Sequence, residues 1–226
     1  MVKVMFVESK RKNIDKIEIN GSILKDMGKE VILAYSIQYI NIAKELKKQL
    51  EQKGLKVMQF IQVLGCTQIK QMKNKELPII LIGSGKFHAL NLALQNENVY
   101  IYNIDNGKLE NVNKEHEKEL KGLSEKKKNN INRFLNSNNI GIIVSTKPGQ
   151  QKMKDAEELR EKIIKKYPEK RVFLFISNNV NINELENFQI DVWINTSCPG
   201  LINDSNKILN IEDMTGFFNL VNSKNQ

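Results

Sequence analysis

Apolar residues recur along this chain in two alternating rhythms. Short runs rich in aliphatic residues occur at Glu30–Tyr35, Lys56–Phe60, Leu77–Ile82, Val99–Ile104, Ile140–Ser145, Arg171–Ile176 and Asp191–Thr196, and predict buried strands. Between them the spacing changes to that of a helix face. Ile40–Lys53 places Ile42, Ala43, Leu46 and Leu50 together, and Lys152–Tyr167 does the same with Ala156, Leu159, Ile163 and Ile164. Gly54 follows the first of these helices as its C′ residue. Shorter helices are predicted from about Ala89 to Gln95, over Ile182–Phe188 and over Ile211–Val221. Val2–Val7 reads as a short strand bounded by Glu8-Ser9-Lys10-Arg11. Residues 106–132 are polar and charged, with Lys126-Lys127-Lys128 among them, and read as a solvated helix joining two halves.

Strand–helix–strand occurs in each half, so the fold class is α/β with parallel, Rossmann-like sheets. A faint repeat supports two related small domains. Val31–Gln38 and Ile142–Gln150 both run from a buried strand into a polar turn carrying Gln, then into an amphipathic helix. The division expected is 26–135 and 136–226.

Composition narrows the function classes. The chain has 226 residues, 40% hydrophobic and 27% charged, which suits a globular protein and excludes wholesale disorder. Its longest apolar runs, such as Val31–Ala34 and Pro78–Ile82, fall far short of the ~20 residues of a membrane span. The first ten residues carry no secretory h-region, so a cytoplasmic location is expected. The net charge of +9 comes from Lys spread along the chain, and aromatic residues are not interleaved with it. Nucleic acid is therefore disfavoured as a partner, whereas an acidic protein surface suits the charge.

Four turns at predicted strand ends carry chemistry, and strand carboxyl ends are where open parallel sheets bind ligands. Val63-Leu64-Gly65-Cys66-Thr67 and Asn195-Thr196-Ser197-Cys198-Pro199-Gly200 each hold a cysteine in a glycine-containing loop, where a thiol is open to metal or reagent. The alternative for both is a small buried hydrophobe. Gly83-Ser84-Gly85-Lys86-Phe87-His88 offers backbone N–H groups to an anion, although it matches neither a Walker A loop nor the dinucleotide fingerprint. His88 reads as a ligand, a base, or a helix-starting residue bonded to backbone, the last being favoured; His116 reads as solvated. Ser145-Thr146-Lys147-Pro148-Gly149-Gln150 is a donor-rich loop. No zinc-ligand spacing is present.

Taken together, Val63–Thr67, Ile82–Leu94, Gly141–Gln150 and Asp191–Gly200 resemble the archaeal diphthamide synthase family, the 2-(3-amino-3-carboxypropyl)histidine synthases. The motifs stand in family order over nearly the whole chain. The resemblance implies three related α/β domains around a 4Fe–4S cluster, each donating one cysteine. Cys66 and Cys198 match the second and third of these ligands. It also implies that S-adenosylmethionine binds the unique iron and is cleaved reductively to a 3-amino-3-carboxypropyl radical, which adds to a histidine of elongation factor 2. Gln38, Gly83, Ser84, Gly85, His88, Ser145, Thr146, Gly149 and Gln150 then line the S-adenosylmethionine pocket.

On the same resemblance, residues 1–25 are the remnant strand and connector of a first domain that carries the family's other cysteine. Three explanations stay open: a fragment of a longer gene, a separate N-terminal-domain polypeptide completing the cluster in trans, or a paralogue that no longer catalyses. Family members pair, which implies a homodimer. Gly200 stands where the family usually has Arg, and Ala89 where it usually has Pro. The rival functions are a non-catalytic subunit that binds a partner synthase or elongation factor 2, and a nucleotide-binding module related to quinolinate synthase.

Overall fold

In the computed structural model, residues 27–64, 76–203 and 205–223 are described, together with positions 7, 9, 10, 24, 67 and 69. The expected strand Val2–Val7 and the connector to residue 25 lie almost wholly outside them. The chain divides by packing into two compact units, Met1–Lys121 and Gly122–Gln226.

The first unit is built on β1 (Glu30–Tyr35), β2 (Lys56–Gln62), β3 (Ile79–Gly83), β4 (Val99–Asn103) and β5 (Lys108–Asn111), in the sheet order β2-β1-β3-β4-β5. The first four strands are parallel, and β5 runs antiparallel to β4. Helix α1 (Ile40–Gln52) buries Ile42, Ala43, Leu46 and Leu50 against the face formed by Val31, Leu33 and Tyr35. It stops as its sequence requires: Gly54 adopts φ 86, and the Leu55 amide closes on the Leu50 carbonyl at 3.0 Å. Helix α2 (Lys86–Ala93) and helix α3 (Val112–Glu115) cover the opposite face, where Ile32, Ala34, Ile79 and Leu81 meet Ala89, Leu92 and Val112. A parallel strand buried on both faces must be apolar throughout, which is why β1 and β3 read as unbroken aliphatic runs.

The second unit contains the larger part of helix α4 (Glu117–Asn136). Its sheet, β6 (Asn139–Ser145), β7 (Arg171–Ser177), β8 (Val192–Asn195) and β9 (Ile208–Asn210), has the order β7-β6-β8-β9 and is parallel throughout. Phe134 of α4, Leu159 and Ile163 of α5 (Met153–Lys166), and Met214 of α7 (Ile211–Ser223) pack on Ile140, Ile142 and Val144. The other face carries Ile143, Trp193 and Ile208 under the short helix α6 (Ile182–Leu185). Gly141 lies beneath the Trp193 ring. A Cβ there would come within 2.4 Å of ring carbons, so no larger residue fits.

Two expectations are corrected. Residues 106–132 are not one helix, because Lys108–Asn111 pairs with β4 and only then do α3 and α4 begin. Nor is the basic run merely solvated. Lys126 donates to the Ile202 carbonyl and Lys127 pairs with Asp213 at 2.7 Å, while Asn130 and Arg133 on the same helix donate to the carbonyls of Ile208 and Asn206. Spacings of three and four residues put Lys126, Asn130 and Arg133 on one stripe of α4, which clasps the segment after Cys198.

Candidate functional site

In the first unit, β1 and β3 are neighbours in the sheet, with Tyr35 opposite Ile82. Their carboxyl ends therefore deliver two turns to one place. After β1 a single turn of 3-10 helix spans Ile37–Tyr39; after β3 come Ser84, Gly85 and α2. Together they enclose a cavity of about 140 Å³ lined by Ser36, Gln38, Gly83, Ser84, Gly85 and His88, with Ile37 and Leu81 beneath. Gly85 holds φ 84 and ψ 154, a conformation essentially confined to glycine, and through it the chain enters α2 with no side-chain cap. The first N–H groups of α2 thus lack intrahelical partners, as at any helix start, and suit an anionic oxygen.

Ser84 is fixed by a 2.7 Å hydroxyl–hydroxyl hydrogen bond with Tyr39, whose ring is buried. His88 is half-buried and meets Phe87 edge to face at 5.6 Å. Burial pushes its pKa down, so the neutral imidazole is favoured. Among the described residues the expected bond from the His88 ring to backbone is not made; His88 lines the cavity instead.

The second unit presents two strand ends side by side. β6 pairs with β8 through Ile143 opposite Asn195. Thr196 donates both its amide, at 3.1 Å, and its hydroxyl, at 2.8 Å, to the Ile143 carbonyl. Two residues on, Cys198 is exposed and free. Its loop then enters a 3-10 turn over Pro199–Asn203. Asn195, at the end of β8, is 2% exposed. Its Oδ1 accepts the Ser197 amide at 2.9 Å, and its Nδ2 donates to the Cys198 carbonyl at 2.8 Å and to Asn210 Oδ1 at 2.9 Å. In the adjoining loop Ser145 is buried and its hydroxyl accepts the Lys147 amide at 3.1 Å; Thr146, exposed, donates to Asn178 Oδ1. Gly149 turns the loop with φ 80, and the half-buried Gln150 bonds through its amide to the Lys147 carbonyl.

Of the residues singled out in the sequence, Gln38, Gly83, Ser84, Gly85 and His88 share the first-unit cavity. Ser145, Thr146, Gly149, Gln150 and Cys198 belong to the second unit. Cys66 lies outside the described residues. His116, read as solvated, is half-buried and its Nδ1 stands 3.5 Å from Glu119. Sequence reasoning missed the roles of Tyr39 and Asn210, and of Asn195 within the cysteine turn it did single out, because each acts through a hydrogen bond that no local pattern signals. Among the described residues no three His, Cys, Asp or Glu side chains are grouped to hold a metal ion, and no helix is long and apolar enough to cross a membrane.

Three comparisons bear on this arrangement. The family model for diphthamide synthesis proteins matches residues 1–208. The 2-(3-amino-3-carboxypropyl)histidine synthase of Pyrococcus horikoshii is 29% identical over 207 residues, covering 87% of this chain and 56% of its own length. Among solved structures, Dph2 from Pyrococcus horikoshii aligns with TM-score 0.71 and 26% identity over 86% of this chain and 59% of that one. The same protein solved with a 4Fe–4S cluster aligns with TM-score 0.72 and 26% identity, over 88% and 59%. This chain thus spans a little over half the length of the relatives it matches.

Proposed function

The chain belongs to the diphthamide synthesis protein family, and we propose that it takes part in the transfer of a 3-amino-3-carboxypropyl group from S-adenosylmethionine to a histidine of elongation factor 2. The observation that carries this reading is the exposed Cys198 thiol, set at the carboxyl end of β8 on a loop fixed by a buried amide. A soft thiolate held still and open is the ligand type that iron–sulfur clusters use. Cys198 would ligate the cluster, with Cys66 as a second ligand. Two thiols do not fill the positions of a cluster, so this reading needs ligands beyond Cys66 and Cys198. When bound, a 4Fe–4S cluster supplies the electron that breaks the γ-carbon–sulfur bond of S-adenosylmethionine.

The first-unit cavity plays the binding part in this reading. At about 140 Å³ it is smaller than the ~300–1,000 Å³ of whole-ligand pockets, so it takes one polar end of the molecule. The start of α2 offers N–H donors to a carboxylate, Ser84 and Gln38 offer further polar contacts, and the neutral His88 ring leaves an ammonium group unrepelled. In the second unit, the polar loop of Ser145, Thr146, Gly149 and Gln150 would offer S-adenosylmethionine contacts of its own.

Anaerobic reconstitution with iron and sulfide tests the reading. Wild-type chain is expected to take up iron and show broad visible absorption, and the Cys66→Ala/Cys198→Ala double variant to show neither. Equal iron in the two proteins would overturn it. Equilibrium dialysis with S-adenosylmethionine should show weaker binding to a Gln38→Ala/Ser84→Ala variant than to wild type.

A further inference from the structure

The loop that carries Cys198 is held by a device that nothing in the chemistry of the thiol itself requires. Asn195 and Asn210 close β8 and β9 and stand opposite each other in the parallel ladder. Asn195 bridges to Asn210 and also grips the peptide groups on either side of the sulfur, through the Ser197 amide and the Cys198 carbonyl. Asn210 continues the grip by donating to the Pro199 carbonyl at 3.4 Å. Its own amide is bound by Asp213 at 3.3 Å, and Asp213 is paired with Lys127 at 2.7 Å. One main-chain group on each of three successive residues, Ser197, Cys198 and Pro199, is therefore tied to two amide side chains.

A buried amide must find partners for its donors and acceptors, because an orphaned one keeps its full desolvation penalty. A strand end packed for stability alone is served as well by apolar residues. Two facing asparagines impose direction instead, since an amide fixes both the place and the polarity of the groups it binds. A thiolate ligand must sit within a few tenths of an ångström of its proper bonding position, and residues that hold ligands in place tune such sites strongly.

We propose that Asn195 and Asn210 are positioning residues that hold the Cys198 loop in the conformation in which its sulfur coordinates iron. This rests on the reading of Cys198 as a cluster ligand.

The test uses the full chain in four forms: wild type, Asn195→Asp, Asn210→Ala and Cys198→Ser. Asn195→Asp keeps the shape and removes the donor to the Cys198 carbonyl; Asn210→Ala leaves Asn195 in place should the first variant fold poorly. Two quantities are read. One is hydrogen exchange over residues 196–201 without metal. The other is the reconstituted cluster, followed by its electron paramagnetic resonance after reduction and by the half-time of iron loss to a chelator. Both asparagine variants are expected to exchange about tenfold faster in that segment, to lose iron at least about fivefold faster, and to show a shifted resonance signal. If Cys198→Ser loses its iron while both asparagine variants keep the wild-type half-time and signal, the positioning role is overturned and the cluster reading stands. If wild type takes up no iron, or Cys198→Ser holds as much iron as wild type, the cluster reading fails, and the positioning role with it.

Discussion

The two strand-end sites hold their functional atoms by opposite means. In the first unit the cavity is shaped largely by main chain: Gly83, Gly85 and the uncapped start of α2 form its wall with Gln38 and His88, and among the described residues the hydroxyl pair of Tyr39 and Ser84 is its side-chain tie. In the second unit side-chain amides lock the backbone round an exposed sulfur, and α4 clamps the following segment through Lys126, Asn130 and Arg133. A site that must bind and release a small molecule gains from open backbone donors. A site that must keep a metal ligand in place gains from over-determined geometry.

Substitutions should separate the two designs. The largest effect is expected in the second unit. Gly141→Ala forces a methyl group to 2.4 Å from Trp193 and 3.1 Å from Ile190. The cost should be about 3 kcal/mol, the upper part of the overpacking range. Chemical denaturation followed by fluorescence of the single tryptophan measures it, and an unchanged midpoint would contradict the close packing described for this face. Gly85→Ala comes next. Its surroundings are empty, so only the φ 84 conformation opposes a side chain. A loss of roughly 1–3 kcal/mol is expected, with weaker S-adenosylmethionine binding; a neutral result would mean the turn is not held in that conformation.

Tyr39→Phe removes the hydroxyl bonded to Ser84 and should cost about 1 kcal/mol. Calorimetric melting of the variant beside wild type reads that difference, and titration with ligand shows whether Ser84 needs its partner. The smallest effect is the pH dependence at His88. Burial lowers its folded pKa, so the unfolded chain binds the proton more readily. The stabilisation is complete above the unfolded value of about 6.5 and is lost as pH falls from there towards the folded pKa. His88→Gln should flatten that part of the stability profile, and a profile that stays unchanged would remove the desolvated imidazole from the account.

Much of this was legible in advance. The strands at Glu30–Tyr35 and Asn139–Ser145 are mainly aliphatic because both their faces are covered, and α1 and α5 show their buried stripes at helical spacing. Ile164, expected inward, is the exception: it is exposed because it lies off the stripe of Ala156, Leu159 and Ile163. The elements that escaped are those whose periodicity is too short to register. β5 has one buried residue, Leu109, among polar neighbours, and β9 has three residues in all. Each exists because a neighbouring edge offers hydrogen bonds, which no local pattern encodes. Lys126 and Lys127 misled for a related reason: a lysine bound to a distant carbonyl or carboxylate looks in sequence like a solvated one.

The amino-acid order by itself determined the α/β class and the family resemblance, since each depends on residue type at short spacing. Tertiary structure alone decided that Gln38 and His88 share a cavity, that Tyr39 anchors Ser84, and that Asn195 and Asn210 tie the Cys198 loop. Those relations come from which strands lie side by side and in what register, and strand neighbours are chosen by the packing of the whole sheet.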